Sequence, residues 1–263
     1  MTDLTMSGGS VPGRLGVTAR MDDGRFRLDL VPQPETMHHG LVRASVLAYV
    51  VDAVAGISVD DDREVWTLTT DLSVRSRPVP APERVSATAT VVRRGRRSAT
   101  LLVELIAPDG ALVATGAAGF ATIPRKDTDP PKPFVTPELV VDLFGREPTI
   151  TSPLREEAGV EVLDAAAGVV ELAVTSAVRN PNGTLQGAMV ALVAEAAVED
   201  MLSARHHRPV AVIDLDIRYL ARAERGPVRS ACRLVNDDTV EVLLTDTATA
   251  TITTLVYART IDC

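Results

Sequence analysis

The sequence predicts an α+β protein made of two tandem copies of one module, each an antiparallel sheet wrapped around a central helix. Three observations lead to this prediction: an internal repeat, a long apolar helix in each copy, and a run of β-branched segments after each helix. The 263 residues are enough for two domains of about 130 residues each. Because aromatic residues make up only 3%, Val, Leu, Ala and Ile must build the cores.

The repeat becomes visible when the sequence is shifted by 143 residues. Glycine, acidic and arginine positions then coincide: Gly40 with Gly183, Asp52 with Glu195, Asp71 with Asp214, and Arg75 with Arg218. The register holds without a gap over about 45 residues, so we interpret the chain as a duplication.

A stretch rich in proline and charge separates the two copies. It has few large apolar residues, which is typical of a linker. We therefore predict an N-terminal domain over residues 1–124, a linker over 125–136 and a C-terminal domain over 137–263.

Both copies have the same order of predicted elements. In the first copy these are a strand, a helix and four strands: Phe26–Val31, Leu41–Val59, Val65–Arg77, Arg84–Arg94, Ser98–Ala107 and Leu112–Ile123. The second copy repeats the order: Val169–Ser176, Leu185–Ala204, Val210–Tyr219, Val228–Val235, Thr239–Thr245 and Thr251–Arg259. Each helix is apolar over more than one stripe, which predicts that it is buried nearly all round.

An acidic residue interrupts the apolar helix of each copy. Asp52 lies between valines and alanines, and Glu195 has similar neighbours. An ionised carboxylate is costly to bury alone, so each must be paired, capped or face a cleft. These two acids are the first candidates for catalysis.

The start of the second helix is the other candidate. Gln186 and Gly187 stand there, and unpaired N–H groups at a helix start can stabilise an oxyanion. Glu195 follows two and a half turns later, about 13 Å along the helix axis. No single carbonyl could touch both ends, so a second subunit or domain would have to supply the complementary end, and the tandem copy could do so.

The segment N-P-x-G-x-x-Q-G-x-x-x-x-L-x-x-E, with the DLSV and DLDI strands and the VVRRGRRSA hairpin, resembles hotdog-fold thioesterases of the PaaI and 4-hydroxybenzoyl-CoA type. The resemblance covers both copies and implies two tandem hotdog domains paired as an internal pseudo-dimer. It also implies that a helix carboxylate acts as base or nucleophile on an acyl-CoA thioester across the domain interface.

In the second copy, the resemblance assigns the motif positions to Asn180, Gly183, Gln186, Gly187 and Glu195. Gln186 stands where the family has His, and Ala188 replaces a second Gly. In the first copy, Asp52 matches the acid, but Arg43 occupies the His position. The expected roles are therefore Glu195 as the principal acid, Asp52 as a second or helper acid, and Arg43 as a substrate contact. For the neighbouring His38 and His39, a position on a loop surface is favoured over the alternative that they reach the site.

One basic hairpin stands out from an otherwise acidic chain, whose net charge is −8. Arg93, Arg96 and Arg97 are candidates for binding the phosphates of coenzyme A, because guanidinium groups form paired hydrogen bonds with phosphate. The alternative is a solvated turn. The second copy has Asn-Asp-Asp there, which favours one CoA site rather than two.

The predicted function is therefore hydrolysis of an acyl-CoA thioester, with coenzyme A as part of the substrate and with no other cofactor or metal. A non-catalytic acyl-CoA-binding or regulatory protein is the alternative. A hotdog hydratase is disfavoured because no His follows either acid at a suitable distance.

The bulk features give the remaining expectations. The acidic composition argues against nucleic acid as a partner, and the charged residues inside the apolar stretches argue against a membrane partner. Two unpaired-looking cysteines and the polar N-terminus predict a cytoplasmic location. Whether the double unit associates further is left open.

Overall fold

The computed structural model describes residues 9–126, 132, 135–145, 147–180 and 182–263. Its first half contains eight strands and one helix: β1 (Val17–Asp22), β2 (Arg25–Leu30), β3 (Met37–His38), β4 (Leu41–Val42), α1 (Ala44–Ile57), β5 (Val65–Ser76), β6 (Val85–Arg94), β7 (Ser98–Ile106) and β8 (Leu112–Pro124). The second half contains three helices and six strands: α2 (Pro137–Phe144), α3 (Leu154–Ala158), β9 (Val160–Asp164), β10 (Val169–Leu172), α4 (Gly187–His206), β11 (Val210–Tyr219), β12 (Val228–Leu234), β13 (Thr239–Asp246) and β14 (Thr251–Asp262).

Twelve of the strands form one continuous antiparallel sheet. Their order is β1-β2-β6-β7-β8-β5-β11-β14-β13-β12-β10-β9, so the second half repeats the first in reverse. The halves join where β5 pairs with β11, and Ser73 lies opposite Asp216. These two residues are 143 positions apart, the spacing of the sequence repeat, so a pseudo-twofold axis passes between them.

The two long helices pack against each other and against the strands of this sheet. α4 is buried over almost its whole length because Ala, Val, Leu and Met occupy most of its circumference. α1 is buried in the same way and packs against α4. The predicted architecture, a sheet around a central helix in each copy with the copies paired, is confirmed.

The structure contains elements that the sequence did not predict. β1 and β9 are charged edge strands, and α2 and α3 follow the predicted linker. α2 packs against β1, so the start of the second half contacts the outer edge of the first. Within the predicted linker, the described residues 125, 126, 132, 135 and 136 have no regular structure, and the others lie outside the described part of the chain.

Among the helices that the structure describes, none is both long enough and apolar enough to cross a membrane.

Candidate active site

The pseudo-twofold axis places the start of each central helix beside the middle of the other. Asp52, in the middle of α1, lies next to Gly187 at the start of α4. Glu195, in the middle of α4, lies next to Ser45 in the first turn of α1. Two related clefts result, which we name the Asp52 cleft and the Glu195 cleft after their acids.

The Asp52 cleft is open. It contains a cavity of about 370 Å³. Its walls come from the part of β5 that does not pair with β11, from the loop before α4, from the end of β11 with the loop that follows it, and from β14. The polar residues among them are Asp52, Thr67, Thr69, Thr70, Asn180, Asn182, Thr184, Gln186, Tyr219, Arg222, Thr253 and Thr254.

A second cavity of about 240 Å³ lies on the other side of the same carboxylate. Asp52 and Thr69 line both cavities, and the second also has an apolar wall of Ala53, Ile57 and Phe120. Asp52 therefore lies at the junction of the two cavities. A substrate that extended into both cavities would have its central bond next to this carboxylate.

The Asp52 carboxylate has a defined orientation. Thr69 donates a hydrogen bond of 2.7 Å from Oγ1 to Asp52 Oδ1. Oδ2 is 3.4 Å from the position that a Cβ atom would take on Gly187, so the carboxylate lies directly over the helix start. Burial raises the pKa of Asp52, and the hydrogen bond from Thr69 only partly opposes this shift. A carboxylate with a raised pKa is a stronger proton acceptor when it is ionised.

The start of α4 presents hydrogen-bond donors to this cavity. The Gln186 side chain caps the helix, because its Oε1 accepts a hydrogen bond of 2.5 Å from Ala188 N–H. Its amide nitrogen remains a possible donor toward the cavity. The Gly187 N–H has no acceptor among the described residues, and it carries the positive end of the helix dipole.

The loop before α4 is held by Asn180, which lines the cavity. Its Oδ1 accepts hydrogen bonds from the N–H groups of Asn182 and Thr184, at 3.0 and 3.2 Å. Gly183 completes the turn with a φ of +79°, a conformation that favours glycine. Asn180 and Gly183 thus shape the loop that brings Gln186 and Gly187 to the cavity, while Pro181 lies outside the described residues.

The Glu195 cleft is closed. The cavity at the corresponding place, lined by Leu41, Val42, Leu47 and Val212 among others, measures about 10 Å³. Glu195 is 0% exposed and lines neither of the two cavities beside Asp52. Its carboxylate accepts hydrogen bonds from Ser45 Oγ at 2.6 Å and from Ser45 N–H at 3.4 Å. Glu195 therefore occupies the helix start that a substrate carbonyl would need.

Arg43 fills the rest of this cleft. Its guanidinium group, 6% exposed, donates to Glu195 at 3.3 Å and to Glu199 at 2.9 Å. Two acidic side chains thus share one cation. Burial is the main cause that raises the pKa of Glu199, the Glu195 charge adds to the shift, and Arg43 opposes it. Arg43, predicted as a substrate contact, is instead part of a buried ion cluster.

His38 extends the cluster, so the prediction that it lies on a loop surface is wrong. Arg43 donates to His38 Nδ1 at 3.2 Å, and a guanidinium can only donate, so the imidazole proton is on Nε2. That nitrogen then donates to the Val210 carbonyl at 3.1 Å. Burial and the Arg43 charge lower the pKa of His38 to about 4, which keeps the ring neutral.

The repeat register shows which substitutions separate the clefts. Residues of the Asp52 cleft differ in size or polarity from their counterparts 143 positions away. The pairs, with the Asp52-cleft residue first, are Gly56 and Glu199, Thr69 and Val212, Thr70 and Ile213, and Tyr219 and Ser76. Glu199 adds a second acid where the first copy has no side chain. Sequence reasoning did not single out Thr69 and Tyr219 as site residues, although this register carried the signal.

The basic hairpin joins β6 to β7 on the side of the Asp52 cleft. Arg93, Arg96 and Arg97 are exposed. Thr122 N–H donates to the Arg97 carbonyl at 3.0 Å, and Thr122 pairs with Thr67 of the cavity wall. Two strand spacings separate Arg97 from Thr67, which corresponds to about 10 Å between their backbones. Arg94, which follows Arg93 in the same hairpin, forms an ion pair with Asp61.

The comparison with known families agrees with this geometry. Residues 11–117 match the family described as acyl-CoA thioesterase C-terminal domain. This match covers most of the first half of the chain, so that half is similar to acyl-CoA thioesterase domains. The resemblance seen in the sequence is confirmed, and the family places the chain among thioester hydrolases, as predicted. None of the curated protein sequences matches the chain.

Solved structures show the same fold over nearly the whole length. An acyl-ACP thioesterase from Bacteroides thetaiotaomicron has a TM-score of 0.62 at 15% identity, covering 89% of this chain and 97% of that one. The 12:0-ACP thioesterase from Umbellularia californica has a TM-score of 0.61 at 10% identity, with coverage of 90% and 97%. A hot dog fold protein from Alicyclobacillus acidocaldarius has a TM-score of 0.58 at 13% identity, with coverage of 96% and 97%. At these identities the likeness shows the tandem hotdog fold.

Proposed function

We propose that this double-hotdog protein hydrolyses an acyl-CoA thioester in the Asp52 cleft, with one half supplying the base and the other the oxyanion site. The observation that carries the proposal is the position of the Asp52 carboxylate over the start of α4. Its Oδ2 is 3.4 Å from where a Gly187 Cβ would lie, inside a cavity of about 370 Å³. A thioester carbonyl at this point would have a base on one side and helix N–H donors on the other.

In the proposed reaction, Asp52 takes a proton from a water molecule, and the water oxygen attacks the thioester carbon. The carbonyl π electrons move to oxygen, and the Gly187 N–H stabilises that negative charge. Collapse of the tetrahedral intermediate breaks the carbon–sulfur bond. The proton held by Asp52 goes to the leaving thiolate, so the products are the free acid and coenzyme A. The reaction uses no further cofactor.

This proposal moves the role of base from Glu195 to Asp52. Glu195 is fully buried, its carboxylate is bound by Ser45 and Arg43, and it lines neither the cavities beside Asp52 nor the small cavity of its own cleft. Asp52 faces two cavities, and the only side-chain hydrogen bond to it from the described residues comes from Thr69. The motif of the second copy keeps its role, because Gln186 and Gly187 form the donor side of the same cleft.

Coenzyme A would reach this cleft from the side of the basic hairpin. Arg93, Arg96 and Arg97 are exposed, and the backbone of Arg97 is two strands from the cavity wall. Arginine side chains are long enough to span part of that distance and to bind phosphate. The corresponding turn beside the closed cleft contains Asn236, Asp237 and Asp238, and the two aspartates would repel phosphate.

The test is a panel of acyl-CoA substrates with detection of the released thiol. The wild type should release thiol, and Asp52→Asn should lower kcat by about 10²- to 10⁴-fold, because the amide cannot accept the proton. Glu195→Gln is the matched control, and its folded fraction should keep kcat within a few fold. Turnover that survives Asp52→Asn would overturn the assignment. Tight acyl-CoA binding without thiol release would instead select the non-catalytic alternative.

A further inference from the structure

Tyr219 is the last residue of β11 and lies in the Asp52 cleft. Its hydroxyl oxygen is 3.0 Å from the position of a Cβ on Gly187, closer than the Asp52 carboxylate. The phenol thus covers the same helix start that the proposed oxyanion would contact. Neither the sequence motif nor the family description includes this residue.

The hydroxyl has little else to bind. The only acceptor that the described residues offer it is the Gly187 carbonyl, at 3.4 Å, which is long for an O–H···O bond. A hydroxyl with a weak protein partner, directed into a cavity, can donate to a ligand without losing a strong bond. It is also close enough to Asp52 for that charge to act on it.

The repeat supports a role for Tyr219 in the Asp52 cleft that has no equivalent in the Glu195 cleft. The counterpart of Tyr219 is Ser76, whose hydroxyl donates to the Ile213 carbonyl at 2.7 Å and is fully used in the sheet. Of the chain's other two tyrosines, Tyr257 donates to Glu241 on the exposed sheet face, and the buried Tyr49 lines neither cavity beside Asp52. Tyr219 is therefore the tyrosine whose hydroxyl reaches the proposed reaction site.

We propose that the Tyr219 hydroxyl is a catalytic hydrogen-bond donor that, with the Gly187 N–H, stabilises the oxyanion formed on the thioester carbonyl. This inference rests on the proposed thioesterase function. Tyr219 keeps its proton throughout, so the transfer of the water proton to Asp52 and then to the thiolate is unchanged. Burial, with the charge of Asp52, raises the pKa of Tyr219 well above its ordinary value, which maintains the phenol as a neutral donor.

Steady-state kinetics of Tyr219→Phe test the role. Loss of one oxyanion donor should lower kcat by on the order of 10²-fold while KM stays within about twofold, because the bond strengthens mainly in the transition state. The decrease of kcat at low pH should be the same as in the wild type, since Asp52 is still present. Tyr257→Phe, which removes a hydroxyl on the exposed face, should leave both constants unchanged. A full kcat in Tyr219→Phe, or a loss confined to KM, would overturn the proposal.

A second measurement separates this inference from the function itself. In protein labelled with ¹³C at the tyrosine Cζ position, the resonance missing from Tyr219→Phe belongs to Tyr219. The probe is a dethia acyl-CoA analogue, in which CH₂ replaces the thioester sulfur. The Tyr219 resonance should shift on binding while that of Tyr257 does not. If the wild type has no thioesterase activity but this resonance shifts, the proposed function is contradicted and the contact between Tyr219 and the analogue is supported. A bound analogue that leaves the Tyr219 resonance unmoved contradicts the contact.

Discussion

The two clefts of this molecule come from one duplicated sequence but have opposite interiors. The Asp52 cleft holds a cavity of about 370 Å³ with a single carboxylate, a free helix N–H and a tyrosine hydroxyl. The Glu195 cleft holds about 10 Å³, and its carboxylate is bound by Arg43 and Ser45. Each cleft uses a helix start from one half and an acid from the other.

The difference shows how a duplicated enzyme site can become a structural contact. In the closed cleft, the acid itself occupies the helix start, and a cation balances it, so the same geometry now holds the two halves together. A few substitutions account for this change: Arg43 for the equivalent of Gln186, Glu199 for the equivalent of Gly56, and Val212 for the equivalent of Thr69. In the proposed function, the protein therefore keeps one site but needs both halves to build it.

The largest expected effect is on stability, from breaking the closed cleft. Arg43→Ala would leave Glu195 and Glu199 buried without their cation. Removing one partner of a buried ion cluster costs about 3–5 kcal/mol, so the free energy of unfolding should fall by that amount in urea titrations. Arg233→Ala, which removes an exposed pair with Glu241, is the control and should change little. An Arg43→Ala protein as stable as the wild type would show that the cluster does not join the halves.

The open cleft should be sensitive to a single methyl group. Gly187→Ala places a Cβ 3.0 Å from the Tyr219 hydroxyl and 3.4 Å from Asp52 Oδ2. Displacing these groups should lower kcat/KM by about 10- to 100-fold. The closed cleft already has Ala44 at the equivalent position, so Ala44→Gly is the matched control and should leave kcat/KM unchanged. Equal losses in the two variants would indicate a general effect on the helices.

The basic hairpin gives a smaller effect, confined to binding. Reversing two charges in Arg96→Glu/Arg97→Glu should raise KM for acyl-CoA by about five- to tenfold, with kcat unchanged, and the difference should shrink at high salt. Adding charge at the matched turn, in Asn236→Arg/Asp237→Arg, should not change KM, because that turn serves the closed cleft. An unaltered KM in the first variant would remove the hairpin from the substrate site.

The last expected effect concerns the pH dependence of stability and the closed cleft. The folded protein raises the pKa of Glu199 to about 8 from an ordinary 4.5, so it binds that proton more tightly than the unfolded chain does. The stability that this proton contributes is complete below pH 4.5 and is lost as pH rises to about 8. Glu199→Gln cannot titrate, so its Tm should fall less than that of the wild type between pH 5 and pH 9. The exposed Glu156→Gln should follow the wild type, and a Glu199→Gln curve parallel to both would contradict this assignment.

Much of the fold could be predicted from the sequence because the repeat and the local patterns agree. The predicted β11, Val210–Tyr219, matches the observed strand, and the helices differ only at their ends. β1 and β9 were missed because they are short edge strands whose side chains are mostly exposed, so they contribute few apolar residues to the core.

The site could be predicted only in part. The two acids and the helix start were visible, since a carboxylate among apolar helix residues is costly in any fold. Which of the two acids faces a cavity depends on contacts with residues from the other half of the chain. Ser45 and Arg43, which bind Glu195, lie about 150 residues before it. No local pattern contains that pairing. The repeat register carried the available signal of a filled cleft, for example in the comparison of Gly56 with Glu199.

The most direct test of one open and one closed cleft is the binding stoichiometry of the dethia acyl-CoA analogue, measured by isothermal titration calorimetry. The structure places a cavity of about 370 Å³ beside Asp52 and about 10 Å³ at the equivalent place beside Glu195. We expect one analogue bound per chain. Two analogues per chain would contradict the closed cleft and with it the division of roles between the two halves.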